Sequence, residues 1–351
     1  MYLNTDYIEP TELTGYVRQR LQDLAVNQFR LSRFLPDRPI DDIDYRFTRG
    51  GEGLIEAATF RSYDTPSRFG SRPGAVRVSG QLPPVSRQIK LGEYDRLKLR
   101  QASDDAIVNA IYDDADRMAR AVAARMELAR GEALTTGKVV INEGGVVASV
   151  DYGRKGTHTV VAGTPWTTLT APALENLIAW RDTYRASNGA SPAAALTSQR
   201  VISLLQRNAE VIAAIAGTQT GRTRVNRAEL DDLLASEELP PLVAYDAQVA
   251  VNKQTVRVIA EDKLVFTADQ APLVEGEDGD YAVADASEMG ATLWGTTAES
   301  LEEEYGLAGD EAGIVAGVYK QPNPLSYFTN AVGIGLPVLA NPDLTFSADV
   351  F

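Results

Sequence analysis

Residues 313–351 read GIVAGVYKQPNPLSYFTNAVGIGLPVLANPDLTFSADVF. Three apolar runs, Gly313–Tyr319, Ala331–Leu339 and Leu344–Val350, are set apart by stretches holding Pro and Asn. Apolar and aromatic runs bounded by such residues read as strands. Upstream the same character persists in Val243–Val249, Val256–Ala260 and Lys263–Phe266, the latter two joined at Glu261-Asp262, then in Tyr281–Ala284 and Gly290–Trp294. Tyr305 and Leu307 fall in an acidic turn or short helix. From Ala193 to about Ala235 the pattern is strand, helix, helix, helix. Asn226 caps the last helix, with Glu229 three residues on in the capping-box position.

Earlier still, helical spacing takes over. Ser103 caps a stretch in which Ile107, Ile111, Ala115, Met118, Val122, Met126 and Ala129 recur at steps of three and four, the spacing of one helical face. A helix from Asp104 to about Thr136 spans roughly 50 Å, and Gly137 is placed to end it. A hairpin follows, Val139–Ile141 with Val146–Val150, turning at 142–145. Pro172 opens another helix, closed by Gly189, with Leu174, Leu177 and Ile178 inward. Near the amino terminus, Leu13, Val17, Leu21 and Leu24 mark a one-sided helix after Pro10, a short amphipathic arm. Between them, Tyr45–Lys90 carries glycines at 50, 51, 53, 70, 74 and 80 among short alternating runs. With so little apolar surface to bury, this segment reads as a long two-stranded excursion. No repeat with a period of 20–50 residues is present.

Charge is unevenly distributed. Arg46–Lys90 holds eight basic and three acidic side chains, whereas Glu229–Phe351 holds four basic and twenty-three acidic ones. The net charge of -14 is thus +3 over residues 1–100, +2 over 101–228 and -19 over 229–351. Segments of opposite sign favour head-to-tail contact between copies, although a charge run is equally the mark of a solvated surface. The overall acidity argues against a nucleic-acid reader. With 351 residues and 44% apolar content, the chain can bury one large core or two smaller ones. No run of about 18 apolar residues occurs, and MYLNTDYIEP (residues 1–10) has neither a basic leader nor an apolar core, so no secretion or membrane span is expected.

Catalytic equipment is scarce. The absence of cysteine excludes disulfides, thiolate nucleophiles and Cys-based metal sites. The one histidine, His158 in GRKGTHTVVAG, reads as part of an exposed loop leading into a strand, and alone it builds neither a His-based zinc site nor a serine triad. Residues 153–157 miss the spacing of a phosphate loop, and 50–53 lack the context of a dinucleotide site. The acidic run 275–280 reads as a hairpin tip rather than a calcium loop. A carboxylate pair for glycoside hydrolysis would depend on a separation that sequence does not reveal.

The carboxyl-terminal stretch quoted above, together with GATLWGTTAESLE (residues 290–302), resembles the closing segment of tailed-phage major capsid proteins of the lambda type, the major capsid protein E family. The order of arm, Gly- and Arg-rich loop, long helix, hairpin and mixed domain agrees across essentially the whole chain, and Pro337–Phe346 is its most specific part. The resemblance implies an α+β fold of the Hong Kong 97-like capsid type. Its parts would be an amino-terminal arm (1–44), an extended loop (45–90), a peripheral domain with the spine helix (91–189), an axial domain (190–330) and closing strands returning to the peripheral domain (331–351). It also implies a structural shell protein rather than an enzyme, with no cofactor or metal. Pentamers and hexamers of the chain would form an icosahedral head around double-stranded DNA, without sequence-specific binding. Scaffolding, portal and cementing or decoration proteins would be its partners, and it would assemble in the host cytoplasm and reside in the virion. An encapsulin-like nanocompartment shell is the alternative, and a carboxylate-dependent hydrolase the remote one.

On that reading Arg49, Arg61, Arg68, Arg72 and Arg77 of the loop lie across an acidic face of a neighbouring subunit. Each contact is worth about 0–1 kcal/mol but is repeated at every copy. Some resembling proteins weld the shell with a Lys–Asn isopeptide bond from the loop. Here Arg46–Gln88 contains no lysine and Lys90 sits at the loop base, so a noncovalent shell is expected. Arginine outnumbers lysine 27 to 7, and guanidinium forks suit carboxylate pairing.

Overall fold

The computed structural model describes residues 1–40, 42–49, 76–99, 104–143, 146–217, 221–268, 289–307 and 312–351. In chain order the elements begin with β1 (Tyr2–Leu3), α1 (Pro10–Asn27), β2 (Asp37–Pro39), β3 (Asp44–Arg49), β4 (Val76–Gln81), β5 (Pro84–Leu91) and α2 (Glu93–Leu99). There follow α3 (Asp104–Thr136), β6 (Lys138–Glu143), β7 (Val146–Asp151), β8 (Thr159–Val161), α4 (Ala173–Asn188), β9 (Ala194–Thr197), α5 (Gln199–Leu205), α6 (Ala209–Ala216) and α7 (Arg227–Ser236). The chain closes with β10 (Leu242–Ala244), β11 (Gln248–Val251), β12 (Gln254–Arg257), β13 (Lys263–Thr267), β14 (Gly290–Gly295), β15 (Val315–Pro322), β16 (Leu325–Leu339) and β17 (Thr345–Asp349). Two compact units result. The first holds Met1–Tyr45, Ser79–Gly131 and Ala291–Val338, the second Arg46–Val78, Glu132–Gly290 and Leu339–Phe351.

The first unit is a sheet ordered β1-β15-β16-β14-β2, with β5 also paired to β16. The apolar stripe of α3 packs on it: Ile111, Ala115, Met118, Val122 and Met126 meet Ile314, Ala316, Val318 and Ala331, joined by Leu13 and Val17 of α1. Thr14 bolts α1 to the sheet, its hydroxyl donating to the Ala316 carbonyl at 3.2 Å and accepting from the Ala316 N–H at 3.0 Å. Sequence reading places a strand only from Ala331, yet β16 begins at Leu325. Its polar first half, including the buried Ser326 and Thr329, lacks an apolar run but is laddered on both sides, to β15 and to β5. Gly333 and Gly335 permit a close approach on this strand. A Cβ on Gly333 would stand 2.9 Å from both Ile314 and Trp294, and one on Gly335 would stand 2.9 Å from the Leu293 carbonyl oxygen.

A buried ion pair with one exposed partner, Asp37, lies in the same unit. Glu127 is fully buried and Arg130 is 4% exposed. The Arg130 guanidinium donates to Glu127 Oε2 at 3.2 Å, Thr292 Oγ1 at 2.8 Å and Asp37 Oδ1 at 2.5 Å. Glu127 Oε1 accepts from the Leu31 N–H at 2.9 Å, and Asp37 Oδ1 accepts from Trp294 Nε1 at 2.8 Å. One guanidinium therefore ties α3 to β2 and β14.

The second unit is a sheet ordered β10-β9-β13-β17-β8, covered by an apolar cluster that includes Trp166, Leu177, Tyr184, Ile202, Leu230, Phe266 and Phe346. Asn226 and Glu229 form the expected capping box on α7. Arg222, with the Asn226 N–H, holds the Glu229 carboxyl below its ordinary range. Expected strand partners change here. The run Val243–Val249 divides into β10 and β11, and β12 pairs with β11 rather than β13. The turn responsible is Asn252-Lys253, whose φ values of 51° and 66° are those a two-residue hairpin loop needs. Then β13 lies between β9 and β17.

At the end of α3, Gly137 has φ 70°, and Arg154 fills the capping role. Its guanidinium donates to the carbonyls of Leu134 at 2.9 Å and Thr135 at 2.5 Å. Burial lowers its pKa to about 10.

His158, expected in an exposed loop, is fully buried beside Tyr184 and Phe346. Its Nδ1 lies 3.2 Å from the Thr345 carbonyl oxygen, so the neutral ring carries its proton there. The preceding glycines suggested exposure, but the turn they form folds the imidazole under β17. Burial pushes its pKa down. Above about pH 6.5, the ordinary histidine value, both folded and unfolded states hold it neutral. As the pH falls below that, the unfolded chain takes up a proton that the folded one resists, and stability declines. Thermal unfolding between pH 7.5 and 5 is expected to show a steeper fall for the wild type than for His158→Gln. Parallel profiles would show that this ring does not contribute.

Candidate subunit interface

The five arginines assigned to intersubunit contact fall on a segment whose two ends are β3 and β4, which pair as a two-stranded sheet. Arg49 lies on β3 and Arg77 on β4. Arg61, Arg68 and Arg72 lie outside the described residues. At the base, Tyr45 is buried against Gly80, where a Cβ would stand 2.5 Å from the phenol oxygen. Lys90 is held in β5, opposite Phe328, with its ammonium 5.7 Å from that ring centre.

Part of the carboxyl-terminal acidity is neutralised within the second unit. Glu229 pairs with Arg222 at 2.7 Å, Asp231 with Arg227 at 2.8 Å, Asp246 with Arg257 at 2.6 Å, Glu261 with Arg200 at 2.6 Å and Asp349 with Lys263 at 2.8 Å. The bare sequence count therefore overstates the acidic face. Glu302, Glu303 and Glu304, on short 3-10 turns of the first unit, are exposed and have no ion pair among the described residues.

Exposed apolar side chains point to further contact surface. Helix α2, which sequence reading passed over, leaves Tyr94 69% and Leu97 60% exposed. Their i, i+3 spacing in EYDRLKL is the signal that could have revealed it. On the β6–β7 hairpin, Val140 is 50% and Val147 81% exposed. Among the described residues no group of His, Asp or Glu could hold a metal ion, and no helix is long and apolar enough to cross a membrane.

The whole fold has solved relatives. A crystal structure from Escherichia coli CFT073, assigned as a prophage capsid protein, aligns with a TM-score of 0.62 at 12% identity, covering 98% of this chain and 99% of that one. A phage-related protein from Bordetella bronchiseptica RB50 aligns with a TM-score of 0.57 at 15% identity, covering 96% of this chain and 95% of that one. At these identities the likeness is one of fold, and the fold is Hong Kong 97-like. None of the curated proteins compared with the chain matches it in sequence. The family model described as phage major capsid protein E matches residues 10–350, and the chain belongs to that family.

Proposed function

We propose that this chain builds the icosahedral head of a tailed phage, assembling as pentamers and hexamers around double-stranded DNA through noncovalent contacts. The observation that carries the reading is the capsid-family match over residues 10–350. Heterologous contacts close into rings, and overlapping ring edges close a shell. The loop of residues 45–90 reaches over a neighbour, with Arg49, Arg61, Arg68, Arg72 and Arg77 on its acidic surface. Scaffolding, portal and cementing or decoration proteins complete the particle. The protein acts as a structural component of the virion, after assembly in the host cytoplasm, and catalyses no reaction.

Two features support a shell without isopeptide bonds. No lysine lies between Arg46 and Gln88, and Lys90 is seated over Phe328 in its own unit. Purified protein examined by negative stain and sedimentation is expected to show particles, and boiling in SDS should reduce them to one band at the subunit mass. Small oligomers under every assembly condition would sink the shell reading. A ladder of subunit multiples in SDS would sink the noncovalent one.

A further inference from the structure

The β6–β7 hairpin has two backbone edges, and side chains cover part of only one. Its register pairs Lys138 with Asp151, Val140 with Ser149 and Asn142 with Val147. Just beyond it, the Tyr152 N–H donates to the Gly137 carbonyl at 3.1 Å, which makes Gly137 and Tyr152 a hydrogen-bonded pair. Antiparallel ladders alternate bonded and non-bonded pairs. The pairs Lys138–Asp151, Val140–Ser149 and Asn142–Val147 therefore turn their N–H and C=O groups outward. The β6 side agrees independently: the Val140 N–H donates outward to Glu132 Oε1 at 3.1 Å.

Side chains from the end of α3 cover the base of that β6 edge, at Lys138 and at the Val140 N–H. Besides Glu132 on Val140, the Thr136 hydroxyl accepts from the Lys138 N–H at 3.1 Å, and its one proton is shared between the carbonyls of Glu132 at 2.8 Å and Lys138 at 3.0 Å. The β7 edge has no such cover. The outward backbone groups of Val147 and Ser149 have no hydrogen-bond partner among the described residues, both residues are exposed, and β7 joins no described strand but β6. Val147 stands beside this edge at 81% exposure. An open strand edge with an adjacent apolar side chain is a template for another strand. Natural proteins block such edges unless they use them, and this hairpin shields the base of its other edge while leaving this one bare.

We infer that the outer edge of β7 receives a strand from a second copy of this chain, extending the hairpin across a subunit boundary. The inference rests on the shell reading, which makes a second copy the partner present at every such edge. Two groups set the expected strength: the backbone of Val147 and Ser149 supplies hydrogen bonds, and the Val147 side chain supplies apolar contact.

Hydrogen exchange on free subunits and on particles tests it directly. The Val147 and Ser149 amides should exchange freely in the subunit and slow by about a hundredfold or more in the particle. Ser149→Pro removes an N–H that β6 does not use, and Val147→Lys places a charge beside the edge. Each should cut particle yield about tenfold or more while leaving circular dichroism and the unfolding midpoint near wild type. Should Ser149→Pro fail to fold, Val147→Lys and the exchange data still decide. Wild-type particles with freely exchanging Val147 and Ser149 amides, or normal particles from Val147→Lys, would overturn the inference alone. Absence of wild-type particles would instead overturn the shell reading beneath it.

Discussion

Replacing Arg61, Arg68 and Arg72 together by glutamate is expected to abolish particle formation and leave the subunit folded. The loop segment from Arg46 to Lys90 carries a net five positive charges, and three reversals change that by six units, turning attraction toward an acidic neighbour into repulsion. Surface pairs contribute about 0–1 kcal/mol each, so single reversals should do little, and the effect becomes large only through repetition over the shell. The exposed Glu302–Glu304 run is an acidic surface with no ion pair among the described residues. High salt should weaken wild-type assembly in the same direction, because exposed pairs are screened over about 8–10 Å. Sedimentation with circular dichroism reads the outcome. Normal particles at normal yield would refute the role of these arginines, and an unfolded subunit would assign them to the fold.

The second large effect is thermodynamic. Arg130→Met should destabilise the first unit by about 3–5 kcal/mol, because it takes the buried guanidinium away from the fully buried Glu127 carboxylate. The same substitution leaves Asp37 and Thr292 without the guanidinium that joins them to α3. Removing both charges, as Glu127→Leu with Arg130→Met, should cost less than the sum of the single changes, since no buried carboxylate is left behind and Asp37, which also loses the guanidinium, is half exposed to water. Urea unfolding of the two single variants and the double variant measures this. A loss below about 1 kcal/mol for Arg130→Met would show that Glu127 is solvated or neutral in the folded chain.

Local structure was legible because its causes are local. The span expected for the long helix, Asp104 to about Thr136, is the span observed, since i to i+4 bonding and a stripe at steps of three and four are written in adjacent residues. The same holds for the Asn226–Glu229 capping box and for the αL Gly189 that closes α4. The closing segment also carried the family, which the match over residues 10–350 establishes.

Tertiary structure decided what depends on distant partners. Strand Leu325–Asn330 is polar enough to escape notice, and only its ladders to β15 and β5 make it a strand. The two last strands part company, β16 pairing in the sheet of the first unit and β17 in that of the second. His158 is buried because a turn folds it beneath residues nearly 190 positions away. The acidity counted along the chain shrank once Arg200, Arg222 and Arg227, from outside the acidic segment, met Glu261, Glu229 and Asp231. Periodicity shows which face of an element is apolar, but a strand's neighbours and a charge's partner are set by contacts remote in sequence, and those exist only once the chain is folded.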